Sequence, residues 1–232
     1  PGFYTKRHLQ PAAVGRHCAA KKPSFLPEQY FLVPFQVNTD SQITLFSPWI
    51  KNMFCLVEQL LQAEAVLGDD MPNIVLKTHP ACAQNYEKLR GYVTLTSQKI
   101  RFVDDVAVDT LIKYSDAVIT INSSVGMEAL LMRKRVIVLG QAFYDIKGMT
   151  LSADNLETMI ANIIRVQNWY PNEYLLSSFL DYLKYDYIVE GNWHYPTINH
   201  LKHMSDRLIL LAKIQSSENA PEMYLTSPVS LV

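Results

Sequence analysis

Two adjacent serines followed by a glycine and a carboxylate, Ser123-Ser124-Val125-Gly126-Met127-Glu128, are the side chains of this protein best suited to hold an anion. They follow a short apolar run from Ala117 to Ile121 and open a helical pattern that continues to Leu130. A turn between the carboxyl end of a strand and the amino end of a helix presents free backbone N–H groups and the positive end of the helix dipole. The serine hydroxyls add donors, and Asn122 stands beside them. Gly126 leaves a ligand room to approach the backbone, and Glu128, one helical turn on, is within reach of ribose hydroxyls. The set reads as a phosphate site.

Two further groups fall at similar places. Lys77-Thr78-His79-Pro80 closes an apolar run, and Pro80 holds His79 in extended backbone. The imidazole could bind a phosphate or help one depart, with Lys77 adding charge. Asp40, in the polar turn Asn38 to Gln42, could be a base, a nucleophile or a metal ligand; it could equally cap a helix or an Asx-turn. Gln36, Gln42 and Gln141 suit an orienting role. No GxxxxGK[ST] or GxGxxG pattern is present, which argues against a P-loop or dinucleotide enzyme. Asp104-Asp105 reads as a solvated turn. His200 and His203 share a helical face near His194 but have no evident third ligand, so no metal site is expected.

The elements that must position these groups alternate. Tyr30 to Val37 is a β-rich run whose Pro34 implies an early end or an edge position. Helical spacing runs from Pro48 to Leu67, with Ser47 as the expected cap. A second strand covers Asn73 to Lys77, and a short helix is expected over Ala81 to Leu89. Short strands are expected at Tyr92–Leu95 and Ile100–Val103, and a helix at Val108–Tyr114 with Asp105 or the preceding turn as its cap. After Ala117–Ile121 and the serine helix, the basic patch Arg133-Lys134-Arg135 leads into a strand over Val136–Leu139. Gln141–Gly148 reads as a loop, and helices are expected at Asn155–Val166, Glu173–Leu183 and Thr197–Ile214. This alternation predicts an α/β fold, a Rossmann-like parallel sheet with helices on both faces. Ligands of such sheets bind at the carboxyl ends of the strands.

The 232 residues suffice for one large domain, and 49% hydrophobic with 19% charged residues is an ordinary globular composition. A net charge of −1 gives no electrostatic footprint for nucleic acid. Three scattered cysteines argue against a disulfide scaffold or a zinc site and suit a reducing compartment. The expected organisation is a basic linker or remnant of a preceding domain over 1–29, a nucleotide-binding domain over 30–214, and a flexible tail over 215–232.

Phe31 to Ile43, Lys77-Thr78-His79-Pro80, Ile119 to Leu130 and Val136 to Tyr144, in that order, resemble the bacterial capsule polysaccharide synthesis and export proteins, among them Kdo transferases. The resemblance runs from about Tyr30 to about Trp193. It implies the donor-nucleotide half of a GT-B glycosyltransferase, with the acceptor half preceding Pro1. It implies a CMP-activated sugar, typically CMP-Kdo, as donor and a lipid-linked or growing glycan as acceptor, with no cofactor. His79-Pro80 and Ser123-Ser124 would hold the CMP phosphate, Glu128 would contact the ribose, and Asp40 would be the nucleophile of a retaining reaction. The implied setting is cytoplasmic, with peripheral association at the inner membrane. Two other readings stay open: a non-catalytic glycan- or nucleotide-binding module of capsule assembly, and a nucleotide-sugar epimerase or hydrolase.

Overall fold

Six parallel strands carry the fold: β1 (Phe31–Pro34), β2 (Ile74–Lys77), β3 (Ile100–Phe102), β4 (Ala117–Thr120), β5 (Arg135–Val138) and β6 (Leu151–Ser152). The computed structural model describes residues 21–82, 84–192 and 194–216. The expectations for residues 1–20 and 217–232, most of the linker and nearly all of the tail, lie outside the described residues, as does Trp193. The strands are ordered β3-β2-β1-β4-β5-β6. The chain moves outward from β1 through β2 to β3, then returns to the centre and moves outward again through β4, β5 and β6. This is a Rossmann-like α/β sheet whose order reverses between β1 and β4.

Helices cover both faces. Within β1 and β4, every residue is buried. Phe31, Val33, Ile74, Leu76, Ile119 and Ile137 share one core layer with α2 (Met53–Leu67), through Met53, Leu56, Val57 and Leu60, and with α6 (Leu156–Arg165), through Met159 and Ile163. The alternate residues Leu32, Val75, Val118 and Val136 are fully buried from the other side, where α4 (Val108–Tyr114) packs on α5 (Ser124–Leu131). A strand buried on both faces reads as continuous apolar sequence.

Pro34 ends β1 early, as expected, yet β1 lies at the centre of the sheet. The hydrogen bonds explain the tolerance. The N–H groups of Phe31 and Phe35 point to β2, where they donate to the carbonyls of Asn73 and Lys77. The N–H that Pro34 lacks would therefore have pointed to β4. The β1–β4 pairing has already ended there, since it joins only Phe31 to Ala117 and Leu32 to Val118.

Several local expectations are corrected. The helix expected from Pro48 begins at Met53, because the Asn52 side chain accepts the Cys55 N–H and caps it there. Ser47 does not cap this helix; it ends the short helix before it, and its hydroxyl donates to the Ile50 carbonyl. The Trp49 indole donates to the Leu139 carbonyl at 2.6 Å, which anchors the connector beside β5. A separate short helix, α1 (Ser41–Phe46), precedes it. The helix expected at Ala81–Leu89 and the strand expected at Tyr92–Leu95 are replaced by one helix, α3 (Glu87–Thr96), because Leu89 and Val93, four apart, are buried together. Of the two caps expected for α4, Asp105 or the preceding turn, it is the turn that serves, with Ala107 at the N-cap position. The edge strand β6 was not expected.

Beyond α6 the chain forms α7 (Glu173–Tyr182), a π-helical stretch at Leu183–Tyr187, and α8 (Ile198–Ser216). The chain divides into two compact units. One extends to Leu180 and contains the sheet; the other contains the residues from Asp181 on. In that second unit, His200 is buried and its Nδ1 pairs with the Glu190 carbonyl at 2.9 Å.

Candidate functional site

Because all six strands are parallel, their carboxyl ends share one edge of the sheet. Gln36 and Asp40 follow β1, His79 follows β2, Asp104 follows β3, Asn122 to Ser124 follow β4, and Gln141 follows β5. The crevice of such a sheet opens where the strand order reverses, here between β1 and β4.

Two buried amides hold that crevice. Gln36 Nε2 donates to Asn122 Oδ1 at 2.9 Å, and the Asn122 backbone N–H returns a bond to Gln36 Oε1 at 3.2 Å. Asn122 Nδ2 donates to the carbonyls of Gln42 (2.7 Å) and Phe46 (3.2 Å), at the two ends of α1. Gln36 thus orients the crevice. Asn122, expected to contact a phosphate, is corrected to the same role: its three N–H bonds are all spent within the protein, so it has no donor left for an anion. Gln42 and Gln141 have exposed side chains and contribute backbone instead, Gln141 by donating its N–H to the Phe46 carbonyl at 2.8 Å.

The serine turn follows directly. Ser123 caps α5, its Oγ accepting the Val125 N–H at 3.2 Å. Its own N–H donates to Thr120 Oγ1 at 3.2 Å. Its carbonyl accepts the Gly126 N–H at 3.0 Å and the Tyr144 hydroxyl at 2.5 Å. Ser124, half-buried in the first position of the helix, keeps its backbone N–H and its hydroxyl without partners among the described residues. Gly126 is corrected. A Cβ there would run into the Tyr144 ring and hydroxyl, so the glycine makes room for Tyr144 and not for a ligand. Glu128 is half-buried one turn in.

Asp104 organises the end of β2. Its Oδ1 accepts the Thr78 N–H at 2.9 Å and the Thr78 hydroxyl at 2.7 Å, Arg90 pairs with its Oδ2, and its backbone carbonyl accepts Lys77 Nζ. The Arg90 guanidinium lies 4.4 Å from the centre of the Phe102 ring. Asp104, read from sequence as a solvated turn, is a clasp, and Lys77 is a strap on that clasp. Burial pushes the Asp104 carboxyl up, but the bonds from Thr78 and the Arg90 charge outweigh it and hold the group below the usual carboxylate range.

The clasp fixes the turn that carries His79. This half-buried ring accepts the Ala81 N–H on Nδ1 at 3.1 Å, so in the neutral tautomer Nε2 carries the proton and is left as a donor. Asp40 is exposed and caps α1, with Oδ1 accepting the Gln42 N–H at 2.9 Å. Oδ2 is not used in the cap. The structure joins Gln36, Asn122 and the Gln42 and Phe46 carbonyls in one hydrogen-bonded set; Ser123 follows Asn122 in the chain, Asp40 reaches the set through the Gln42 N–H, and His79 shares its edge without a hydrogen bond to it. Tyr144 and the clasp role of Asp104 were missed from sequence. Neither has a local signature, since each acts through a partner distant along the chain.

The basic patch lies at the opposite edge. Lys134 donates to the Ser115 carbonyl, Arg135 to the carbonyls of Asp116, Val166 and Gln167, and Arg133 to Ser177. Among the described residues, no three His, Cys, Asp or Glu side chains converge as a metal site.

The family model described as capsule polysaccharide biosynthesis protein matches residues 5–194. Protein FixF of Sinorhizobium fredii is 32% identical over 188 residues, which are 80% of this chain and 45% of FixF. The capsule polysaccharide export protein KpsS of Escherichia coli is 30% identical over 131 residues, 54% of this chain and 33% of KpsS. Among solved structures, the β-Kdo 2,7 transferase KpsC of Thermosulfurimonas dismutans is 27% identical, with a TM-score of 0.44 over 62% of this chain and 47% of its own. The chain spans less than half the length of each of these relatives.

Two outcomes follow from the geometry. A carboxyl held low in the fold stabilises it above the unfolded value, near 4, and loses that contribution as pH falls through the lower folded value. The stability difference between wild type and Asp104→Asn, read by urea unfolding, is therefore expected to be constant above about pH 5 and to shrink as pH falls below about 4. A difference that does not change with pH removes the clasp. Gly126→Ala gains about 1 kcal/mol of helix propensity but drives a methyl into a buried tyrosine, at an overpacking cost of about 1–3 kcal/mol. The net expectation is a lower thermal midpoint, and a raised midpoint would show that Tyr144 yields freely.

Proposed function

The chain belongs to the capsule polysaccharide biosynthesis family, and from that premise we propose that it is the donor-nucleotide half of a GT-B glycosyltransferase. The observation that carries the reading is Ser124. Its free N–H and hydroxyl stand at the amino end of α5, at the mouth of the β1–β4 crevice, where a phosphate gains from both donors and from the helix dipole. The Nε2–H of His79 supplies a further donor from the end of β2.

The donor proposed is a CMP-activated sugar, with Kdo as the sugar on the order and content of the four stretches that carry the resemblance. Ser124 and His79 bind the phosphate and stabilise the charge that builds on it as the bond to the sugar breaks. Glu128 contacts the ribose. Asp40 Oδ2 forms a bond to the anomeric carbon while the bond from that carbon to the phosphate oxygen breaks, and CMP leaves with the electron pair. A hydroxyl of the glycan acceptor then attacks the same carbon, passes its proton to solvent water and displaces the Asp40 carboxylate, so the anomeric configuration is retained. The helix end and the side-chain donors carry the phosphate charge in this picture, without a metal. The acceptor is a lipid-linked or growing glycan, and the reaction belongs to the cytoplasmic face of the inner membrane. Among the described residues no helix is long and apolar enough to cross a membrane.

One observation favours a second reading, a non-catalytic nucleotide- or glycan-binding module. Asp40 is exposed and already serves α1 as its cap. Two experiments separate the readings. Calorimetry with CMP is expected to show binding by wild type and at least about tenfold weaker binding by a His79→Ala, Ser124→Ala double variant. Equal affinity sinks the phosphate site. Asparagine caps a helix as well as aspartate, so Asp40→Asn is expected to keep the thermal midpoint. In the full-length protein it should lower sugar transfer by on the order of 10³-fold or more. Unchanged transfer removes Asp40 as nucleophile, and no transfer by wild type favours the binding module.

A further inference from the structure

Tyr144 closes the stretch Val136 to Tyr144, which holds none of the proposed donor contacts, yet it is 1% exposed, and its ring packs where a side chain on Gly126 would otherwise sit. Phe143 meets it edge-on, with ring centres 5.3 Å apart and planes at 81°. The Tyr144 hydroxyl donates to the Ser123 carbonyl at 2.5 Å, and the Gly126 N–H donates to the same oxygen at 3.0 Å. That carbonyl is one end of a peptide unit whose other end is the Ser124 N–H. A carbonyl accepting two hydrogen bonds draws electron density from its amide nitrogen, and the N–H on that nitrogen becomes a stronger donor.

We infer that Tyr144 is a positioning residue of the phosphate site, which fixes and polarises the Ser123–Ser124 peptide so that the Ser124 N–H is aimed and strengthened toward an anionic oxygen. The inference rests on the reading of that turn as the donor-phosphate site. It also gives a reason for Gly126: the ring reaches the Ser123 carbonyl only because the helix carries no side chain at that position. The effect belongs to the phosphate and not to the nucleoside, because it acts through one N–H at the helix end.

Tyr144→Phe keeps the ring in its socket and removes only the hydroxyl. Two readouts in the whole chain test the inference. In the ligand-free protein, the amide proton resonance of Ser124 is expected to move upfield in the variant. By calorimetry, the variant's affinity for CMP is expected to fall about two- to fivefold, the scale of a cooperative strengthening of roughly 10–30% in a charge-assisted bond. Affinity for cytidine should stay unchanged. Equal losses for CMP and cytidine would reduce Tyr144 to a structural role and overturn the inference, as would an unmoved Ser124 resonance. CMP binding that the variant leaves intact overturns this inference alone. Wild type that does not bind CMP overturns the donor-site reading itself, and the inference falls with it.

Discussion

The sheet edge that would hold a ligand depends on one pair of buried amides, Gln36 and Asn122. The backbone ladder between β1 and β4 ends at Leu32 and Val118, and Pro34 has no N–H with which to extend it. Beyond that point the two central strands would be free to part. The Gln36–Asn122 bonds hold them by side chain where the backbone no longer does. Buried amides are costly when unsatisfied, and here each side-chain nitrogen and oxygen of the pair has a partner. Asn122 also grips α1 through the carbonyls of Gln42 and Phe46, and the Phe46 carbonyl in turn receives the loop after β5. The spacing of β1, β4, α1 and the β5 loop is thereby set from a few buried polar atoms.

Around that clamp, polar groups divide into those consumed by the protein and those left over. Lys77, Thr78, Asn122 and the Ser123 hydroxyl are consumed, and each fixes the backbone of a strand-end turn. Ser124 and the Nε2 side of His79 are left. Among the described residues, no buried side-chain nitrogen or oxygen lacks a partner. A site precise enough for a charged ligand needs this division, since donors that must reorganise on binding lose part of what they gain. Asp104 serves the His79 turn as Tyr144 serves the serine turn. Each is a buried or half-buried group reached from a neighbouring element, and each sets the direction of a backbone unit that faces the crevice.

The membership of the capsule polysaccharide biosynthesis family and the fold support one another by independent routes. The strand order comes from hydrogen bonding alone, and it puts the ends of the four stretches that carry the family resemblance at one edge of the sheet. The chain spans less than half the length of these relatives.

Much of this was legible in the sequence. The buried strands are continuous apolar runs, because a parallel sheet covered on both faces demands apolar residues at every position. The serine turn was visible because small polar residues between a strand and a helix have few other uses. Local features misled where two elements competed. Pro48 offered a plausible helix start, but Asn52 provided the side-chain cap. The β-branched run near Tyr92 suggested a strand, but the burial of Leu89 with Val93 required a helix. By itself, then, the sequence determined the fold class, the places of β1 to β5 along the chain and the turns that end them, but it offered a false strand at Tyr92–Leu95 and did not show β6. Only the tertiary structure decided which residues at those turns remain free to bind. The partners of Asn122, Gly126, Lys77 and Asp104 come from other elements, and whether a polar group is spent or free is a property of the contact and not of the residue.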